Sequence, residues 1–498
     1  MRALWILLLV VAPALAAPGW PRARGPAHGR AHVATAPKPP LKLAWKVRLW
    51  DRIAAESILF EPGTDKAIGS PLALGIAWRA DDRYLYAFET GFYDAGRKVA
   101  LFDRKTGAFV TRASSKGAQP CANKRAFSLH EDCGFGPFLW FGGFYAGTPL
   151  MAVEKSKFVV RDNEALGISV AGHACEGTRW LMGRLYLDGG GARLVDGPQY
   201  FWGHDLAEWR PGQKPRAILK DVSVPCAAWD ARGMVLYTRG DLSEATPQGR
   251  FGRHEYVEVS RDGTIGARRA VKNVFREPLG GRMLNRGRNA VHAIALAADG
   301  EHVFCHERVG AGQRIVRRRR KDFGIDGGVR PQQLPRVTEN GFAGQINPEL
   351  GIGMAADELR VYLHRSDRVE AYSQDFQRRL FSRKTAKRTL NAHTPFAMTR
   401  YLPRNLTVYG CRGTENTIAT DGVHLYLTTD TTFEVRSCKT GQLVWSHTFE
   451  KLPVYEVKAG GRWQAAAALP GDVIVMPDAV YVATHEDQSM LFCFKPAE

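Results

Sequence analysis

Hydrophobic residues recur along this chain in short alternating runs, each broken by a polar turn. Two copies of one unit are plain. Leu101-Phe102-Asp103-Arg104-Lys105-Thr106-Gly107 leads to Ala108-Phe109-Val110, and Val435-Arg436-Ser437-Cys438-Lys439-Thr440-Gly441 leads to Gln442-Leu443-Val444-Trp445. Each reads as a strand, a turn with Gly where φ must be positive, and a second strand, which is hairpin chemistry. Degenerate copies follow the same template. They lie at Leu206–Gln213 leading to Ala217–Leu219, Tyr256–Gly263 leading to Thr264-Ile265, Val369–Asp375 leading to Leu380-Phe381, Arg314–Val316, and Ala152–Val160. Leu491–Pro496 begins one more copy, and the sequence stops there.

A second element precedes most of these turns: an Asp, a few residues, then a hydrophobic strand bearing Tyr or Phe. It stands at Asp82, Asp230, Asp299, Asp357, Asp421 and Asp478. Repeated units of this kind stack into arrays in which each buries its neighbour's face. From Asp230 onward the spacing exceeds the ~40–50 residues of common propeller blades, which predicts lengthened loops. Turn copies near Ala152 and at Leu206 fill the longer interval between Asp82 and Asp230 and bring the total to eight. The expected fold is therefore all-β, an eight-bladed β-propeller, with seven blades as the alternative if one long blade occupies residues 136–220. The last copy lacks its outermost strand, and Leu43–Leu49 matches the missing one (compare Leu443–Phe449). That N-terminal strand is expected to pair with Leu491–Phe494 and close the ring, which removes open sheet edges. An irregular β-sandwich, or two smaller β domains, is the competing architecture.

The turn at Asp103–Gly107 and the run Lys439–Trp445 resemble the quinoprotein repeat, whose turn reads roughly A-x-D-x-x-T-G-x-x-x-W. The resemblance extends over about residues 41–498 and implies a quinoprotein-like β-propeller of the non-catalytic periplasmic scaffold type. That superfamily contains quinone-dependent alcohol and sugar dehydrogenases. It also contains the periplasmic scaffold lipoprotein of outer-membrane protein assembly. The alcohol-oxidising members carry adjacent cysteines over the quinone, and no two cysteines are adjacent here. Their cofactor needs a calcium held by hard oxygen ligands, and no compact Glu/Asn/Asp cluster stands out. The scaffold lipoprotein is anchored through an N-terminal Cys that this sequence lacks. Trp209 and Trp445 keep the repeat's Trp, whose place is packing between blades.

The N-terminus changes the picture of where the protein works. Arg2, the apolar run Leu4–Val11 and the small residues of Ala14-Leu15-Ala16 read as a secretory signal over residues 1–16, cleaved after Ala16. The run is too short to span a bilayer, and no later stretch reaches the length of a membrane helix. A secreted or periplasmic, non-transmembrane protein is expected. Residues 17–40 hold six prolines among Arg, His and Ala and read as a flexible linker. Residues 41–498 are then one propeller domain. Eight cysteines in an exported chain permit disulfides, and Cys121–Cys133, flanking a short polar loop, is the expected pair. Cys305 and Cys493 lie in strand-like runs and read as small buried hydrophobes.

A net charge of +19 favours anionic partners such as lipid headgroups, acidic glycans or nucleic acid. Its densest point is Arg317–Lys321, for which a solvated strand end or loop is the plainer reading. No motif for sequence-specific nucleic-acid binding occurs. Three clusters carry potentially reactive groups: His130-Glu131-Asp132-Cys133, His173-Ala174-Cys175-Glu176 and His204-Asp205. Each holds residue types that bind transition metals or move protons, but His and Asp beside Gly are more often turn formers. The sequon Asn405-Leu406-Thr407 matters only in a eukaryotic secretory pathway. No serine-hydrolase elbow, zinc-protease or phosphate-loop motif is present. No catalytic, cofactor or metal residue is therefore assigned, and no cofactor is expected. The reading is an exported non-enzymatic binding or scaffold propeller that takes a protein or glycan on one face. The alternatives are a quinone-dependent oxidoreductase, which needs an oxygen cage for calcium, and a carbohydrate-active hydrolase or lyase, which needs converging carboxylates.

Overall fold

The structure, a computed structural model, describes residues 19–20, 25–26, 28–48, 75–90, 98–114, 138–141, 151–161, 174–181, 184–195, 199–209, 216–220, 222–240, 244–246, 249–251, 254–271, 289–309, 312–333, 353–365, 367–386, 417–429, 431–449, 454–459, 462–467, 470–484 and 490–497. These residues form seven four-stranded antiparallel sheets, one three-stranded sheet and two two-stranded hairpins. In chain order the first sheet spans 75–114, the second (three strands) 138–161, the third 174–219 and the fourth 222–271. The fifth spans 289–333, the sixth 353–384 and the seventh 418–448. The eighth joins Pro470–Val475, Val480–Thr484 and Met490–Pro496 to the N-terminal strand Leu41–Arg48. In that pairing Leu41 lies opposite Pro496 and Arg48 opposite Met490; Leu49 is outside the described residues.

The repeat copies read from the sequence fall on the last two strands of a sheet, except that Arg314–Val316 lies on the third strand of the fifth and Leu491–Phe494 on the third strand of the eighth. Burial falls steeply across the sixth and seventh sheets. In the seventh, Ile418–Thr420 is wholly buried, whereas Leu443–Thr448 is mostly exposed. The first strand is thus innermost. Apolar clusters join successive sheets: Met354 and Val361 of the sixth pack with Phe304 and Ile315 of the fifth, and Phe433 of the seventh meets Phe494 of the eighth.

The turn from first to second strand is built by one Asp carboxylate that caps two amides, which a short side chain with an acceptor oxygen can do. Asp81 accepts from the amides of Arg83 and Tyr84, Asp357 from Leu359 and Arg360, and Asp421 from Val423 and His424. The other carboxylate oxygen takes the hydroxyl of a Tyr in the second strand: Tyr86 on Asp81, Tyr362 on Asp357, Tyr426 on Asp421. Asp230 and Asp299 cap the same way without the Tyr. Two of the markers are displaced. The cap of the first sheet is Asp81, not Asp82. Asp478 caps nothing among the described bonds; it forms an ion pair with Arg104 of the first sheet.

The turn from third to fourth strand explains the Thr-Gly signature. Asp103 Oδ1 accepts from the amides of Lys105 and Thr106, and Ser437 Oγ does the same for Lys439 and Thr440. Gly107 and Gly441 then take φ of +73° and +68°. A Cβ on Gly107 would stand 2.6 Å from the Trp45 ring, and one on Gly441 2.6 Å from the Phe381 ring. Trp45 comes from the outermost strand of the eighth sheet and Phe381 from that of the sixth. In the second, fifth and sixth sheets the positive φ belongs to Phe158, Phe323 and Phe376 instead. There the turn itself supplies the ring: Phe158 stacks on Tyr86, Phe323 on Tyr256, and Phe376 meets Phe304 edge-on, in each case in the preceding sheet. Where the turn carries Phe, small residues stand on the preceding outer strand, Ala267 before Phe323 and Gly327 before Phe376. At these five junctions one aromatic is present either way; at the turn of the fourth sheet, Gly263 (φ +90°) instead faces Arg216 and Ile218 of the preceding outer strand.

Candidate functional site

Antiparallel order gives every sheet two edges. The turns from first to second and from third to fourth strand share one edge and are short. The connections from second to third strand, and from one sheet to the next, share the other. The long segments 115–137, 272–288, 334–352 and 387–416 all begin and end on that second edge. These segments lie outside the described residues, as do residues 1–16, the Cys121–Cys133 pair, the His130–Cys133 cluster, His173 and the Asn405 sequon.

The short-turn edge is where described polar groups converge. The stretch 17–40, expected as a flexible linker, is seated there over its described residues. Trp20 is buried and exchanges two backbone bonds with Ala80, at 2.8 and 3.0 Å. The carbonyl of His28 accepts from Leu296, that of Arg30 from Ala356 and that of Ala31 from Thr420, each at 2.9 Å. Val33 donates back to Thr420, and Pro37 accepts the Tyr426 hydroxyl. These bonds run through the backbone, which side-chain composition does not report.

Over this segment lies a small charged group. Arg30 Nη1 stands 3.2 Å and His32 Nε2 3.6 Å from the two carboxylate oxygens of Glu358. His28 accepts the Arg30 amide through Nδ1, and its ring centroid is 6.4 Å from that of His32. Burial pulls the His32 imidazole below its ordinary value, with Arg30 acting the same way, and the carboxylates of Glu358, Asp357 and Asp421 offset only part of this. No cluster of three or more metal-ligating side chains occurs among the described residues.

The basic run is not a free patch. Arg318 is buried over the Tyr256 ring, 4.8 Å from its centroid, and bonds Glu307 and the Phe323 carbonyl. Arg320, also buried, reaches into the fourth sheet to Asp230 (2.6 Å) and Glu258 (2.5 Å). Arg317 pairs with Asp299 and Arg319 with Asp322. Only Lys321 is exposed with no ion pair recorded among the described residues. Further along the sheets, Glu208 holds Arg216 and Glu307 holds Arg314. Much of the positive charge thus joins strands and sheets.

Two sequence clusters are brought together in register rather than in loops. His204 lies opposite Gly190 and Asp205 opposite Gly189, while on the other side of the same strand Ala174 faces Gly190 and Cys175 faces Gly189. Cys226, Cys305, Cys438 and Cys493 are buried. Burial is the first cause that pushes the thiols of Cys305, Cys438 and Cys493 up to about 12. No helix among the described residues is long and apolar enough to cross a membrane.

No family model and no curated protein matches the sequence. Among solved structures, the chain is similar to a quinohemoprotein alcohol dehydrogenase of Comamonas testosteroni, with a TM-score of 0.50 at 11% identity, covering 96% of this chain and 80% of that one. A Dos1 propeller matches with a TM-score of 0.48 at 8% identity, over 91% of this chain and 95% of that one. BamB from Moraxella catarrhalis matches with a TM-score of 0.30 at 11% identity, over 91% and 99%. At such identities a likeness speaks for the fold alone, and that fold is a β-propeller.

Proposed function

We propose that this chain is an exported, non-enzymatic binding or scaffold propeller of quinoprotein-like repeat, whose residues 41–498 form one ring of eight blades closed by Leu41–Arg48. Reach supports the ring. The steps from Trp20 to His28 span at most about 29 Å of extended chain, yet they join the first sheet to the fifth. In an open stack with sheets about 10 Å apart, those two would stand about 40 Å from each other. Residues 1–16 act as the export signal, and Cys121 and Cys133 pair in the oxidising compartment.

The observation that carries the function is the division of labour between edges. On the short-turn edge the carboxylates and guanidinium groups are bonded to turn amides and to each other, as in Asp357 with Tyr362 or Arg320 with Asp230. That edge is built for rigidity. The long connections stand on the opposite edge, where loops on a rigid scaffold bind partners. A protein or glycan is held there. The test is reconstitution of the purified exported protein with pyrroloquinoline quinone and calcium, followed by dye-linked oxidation over a panel of alcohols and aldoses. The expected result is no turnover above the protein-free control. Quinone- and calcium-dependent turnover would overturn the reading and put an oxidoreductase in its place.

A further inference from the structure

The innermost strand of a sheet in a ring has a free side, so its outward amides need partners from elsewhere. Four such amides are equivalent. Ala80, Leu296, Ala356 and Thr420 each precede the residue whose N–H opens the first turn: Asp81 donates to Tyr84, Ala297 to His302, Asp357 to Arg360 and Asp421 to His424. All four amides donate to carbonyls of one segment, at Trp20, His28, Arg30 and Ala31. Three of the sheets, the fifth to seventh, are consecutive. The first sheet stands across the ring from the fifth, so Trp20 and His28 are bonded on opposite sides of the axis.

We propose that the short-turn mouth of the ring is a docking site for one extended peptide segment, and that residues 20–37 of this chain occupy it as a latch that seals the mouth. The inference rests on the ring reading above. Trp20 is the anchor: it is buried, and Gly25 closes over it so tightly that a Cβ there would meet the indole at 3.1 Å. Its φ of +71° is one that glycine takes without strain. Arg30 and His32 add the contact to Glu358 at the far side. The latch consists of backbone carbonyls presented to equivalent donors, with one aromatic plug. The same four amides donate equally to the carbonyls of this segment supplied as a separate peptide, so the latch is replaceable in trans.

Hydrogen–deuterium exchange on three proteins tests this: the chain beginning at Ala17, a chain beginning at Ala34, and Trp20→Ala in the longer chain. In the Ala34 form, amides of Ala80, Leu296, Ala356 and Thr420 are expected to exchange at least about tenfold faster, while Leu41–Arg48 and Met490–Pro496 keep their protection. A synthetic peptide of residues 17–33 restores slow exchange at the same four positions. Trp20→Ala speeds exchange at Ala80 first and needs no truncation, which covers failure of the short form to fold. Unchanged exchange at the four amides, or no rescue by the peptide, overturns the latch. Lost protection of Leu41–Arg48 in the untruncated chain overturns ring closure instead, so the two failures are distinguishable.

Discussion

The indole of Trp45 lies on Gly107. Its Nε1 donates to the Lys105 carbonyl at 3.0 Å, and the glycine leaves the space that a Cβ would fill at 2.6 Å from the ring. Sequence residues sixty apart thus lock the N-terminal strand of the eighth sheet onto the turn of the first.

Gly107→Ala is expected to cost about 2–4 kcal/mol, the sum of a left-handed backbone penalty and overpacking against the indole. Urea denaturation of the variant measures it. Gly266→Ala is the control, because a Cβ there meets nothing closer than 3.7 Å, and it should stay within about 0.5 kcal/mol. Equal, small effects at both positions would mean that Trp45 does not hold the junction.

Arg320 clamps the fifth sheet to the fourth through Asp230 and Glu258. Burial alone would raise the Asp230 carboxyl, but the hydrogen bonds and charge of Arg320 outweigh it and hold the group below its usual range. A depressed carboxyl contributes stability that is present above its unfolded value near 3.9. That contribution is lost as pH falls through the lower folded value. Arg320→Met should therefore cost about 2–3 kcal/mol at pH 7, less than a fully buried pair because both carboxylates are partly exposed. The difference from wild type should shrink toward pH 2–3. A difference independent of pH would assign the loss to packing of the side chain.

Thiolates, not thiols, react with alkylating reagents. With their thiols held near 12, Cys305, Cys438 and Cys493 are expected to resist iodoacetamide at pH 8 in the folded protein and to react after denaturation. Peptide mass mapping of the exported protein reads this site by site. The same non-reducing map should show Cys121 joined to Cys133, a bridge worth roughly 2–4 kcal/mol. Free thiols at both positions would reject that pairing, and fast alkylation of Cys305 would place it at an opened sheet junction.

The repeat was legible in the sequence wherever backbone need dictated residue type. Gly107 and Gly441 could be read because a positive φ selects glycine, and Asp357 and Asp421 because a carboxylate both caps two turn amides and takes a Tyr hydroxyl on its second oxygen. Phe158, Phe323 and Phe376 hold positive φ against propensity, since each ring fills a junction that a neighbouring strand leaves empty. No local pattern announces that exchange. The described residues of Trp20–Pro37 were illegible for a related reason: their partners lie in sheets up to several hundred residues away and are met mostly through the backbone. Likewise Arg318 and Arg320 looked like solvated charge because their carboxylates, Glu307, Asp230 and Glu258, stand on other strands.

The two ways of filling a junction should be interchangeable. Phe323 is buried at φ +52° and stacks on Tyr256, with Ala267 on the outer strand packed against the same cluster. Phe323→Gly relieves about 1–2 kcal/mol of left-handed strain but removes a ring worth about 3–5, so it should destabilise by about 2–3 kcal/mol. Phe323→Ala removes nearly the same surface and keeps the strain, so it should be worse than Gly by about 1 kcal/mol, the reverse of the usual order. Ala267→Trp alone overpacks the junction and should cost about 1–3 kcal/mol. Combining Ala267→Trp with Phe323→Gly recreates the Trp45–Gly107 solution, and the double variant should recover at least about 1–2 kcal/mol relative to the sum of the single changes. Chemical denaturation of the four proteins gives that coupling directly. Strict additivity would show that the outer-strand aromatic and the turn residue do not share one space, and would remove the physical account of why glycine and phenylalanine alternate at this position.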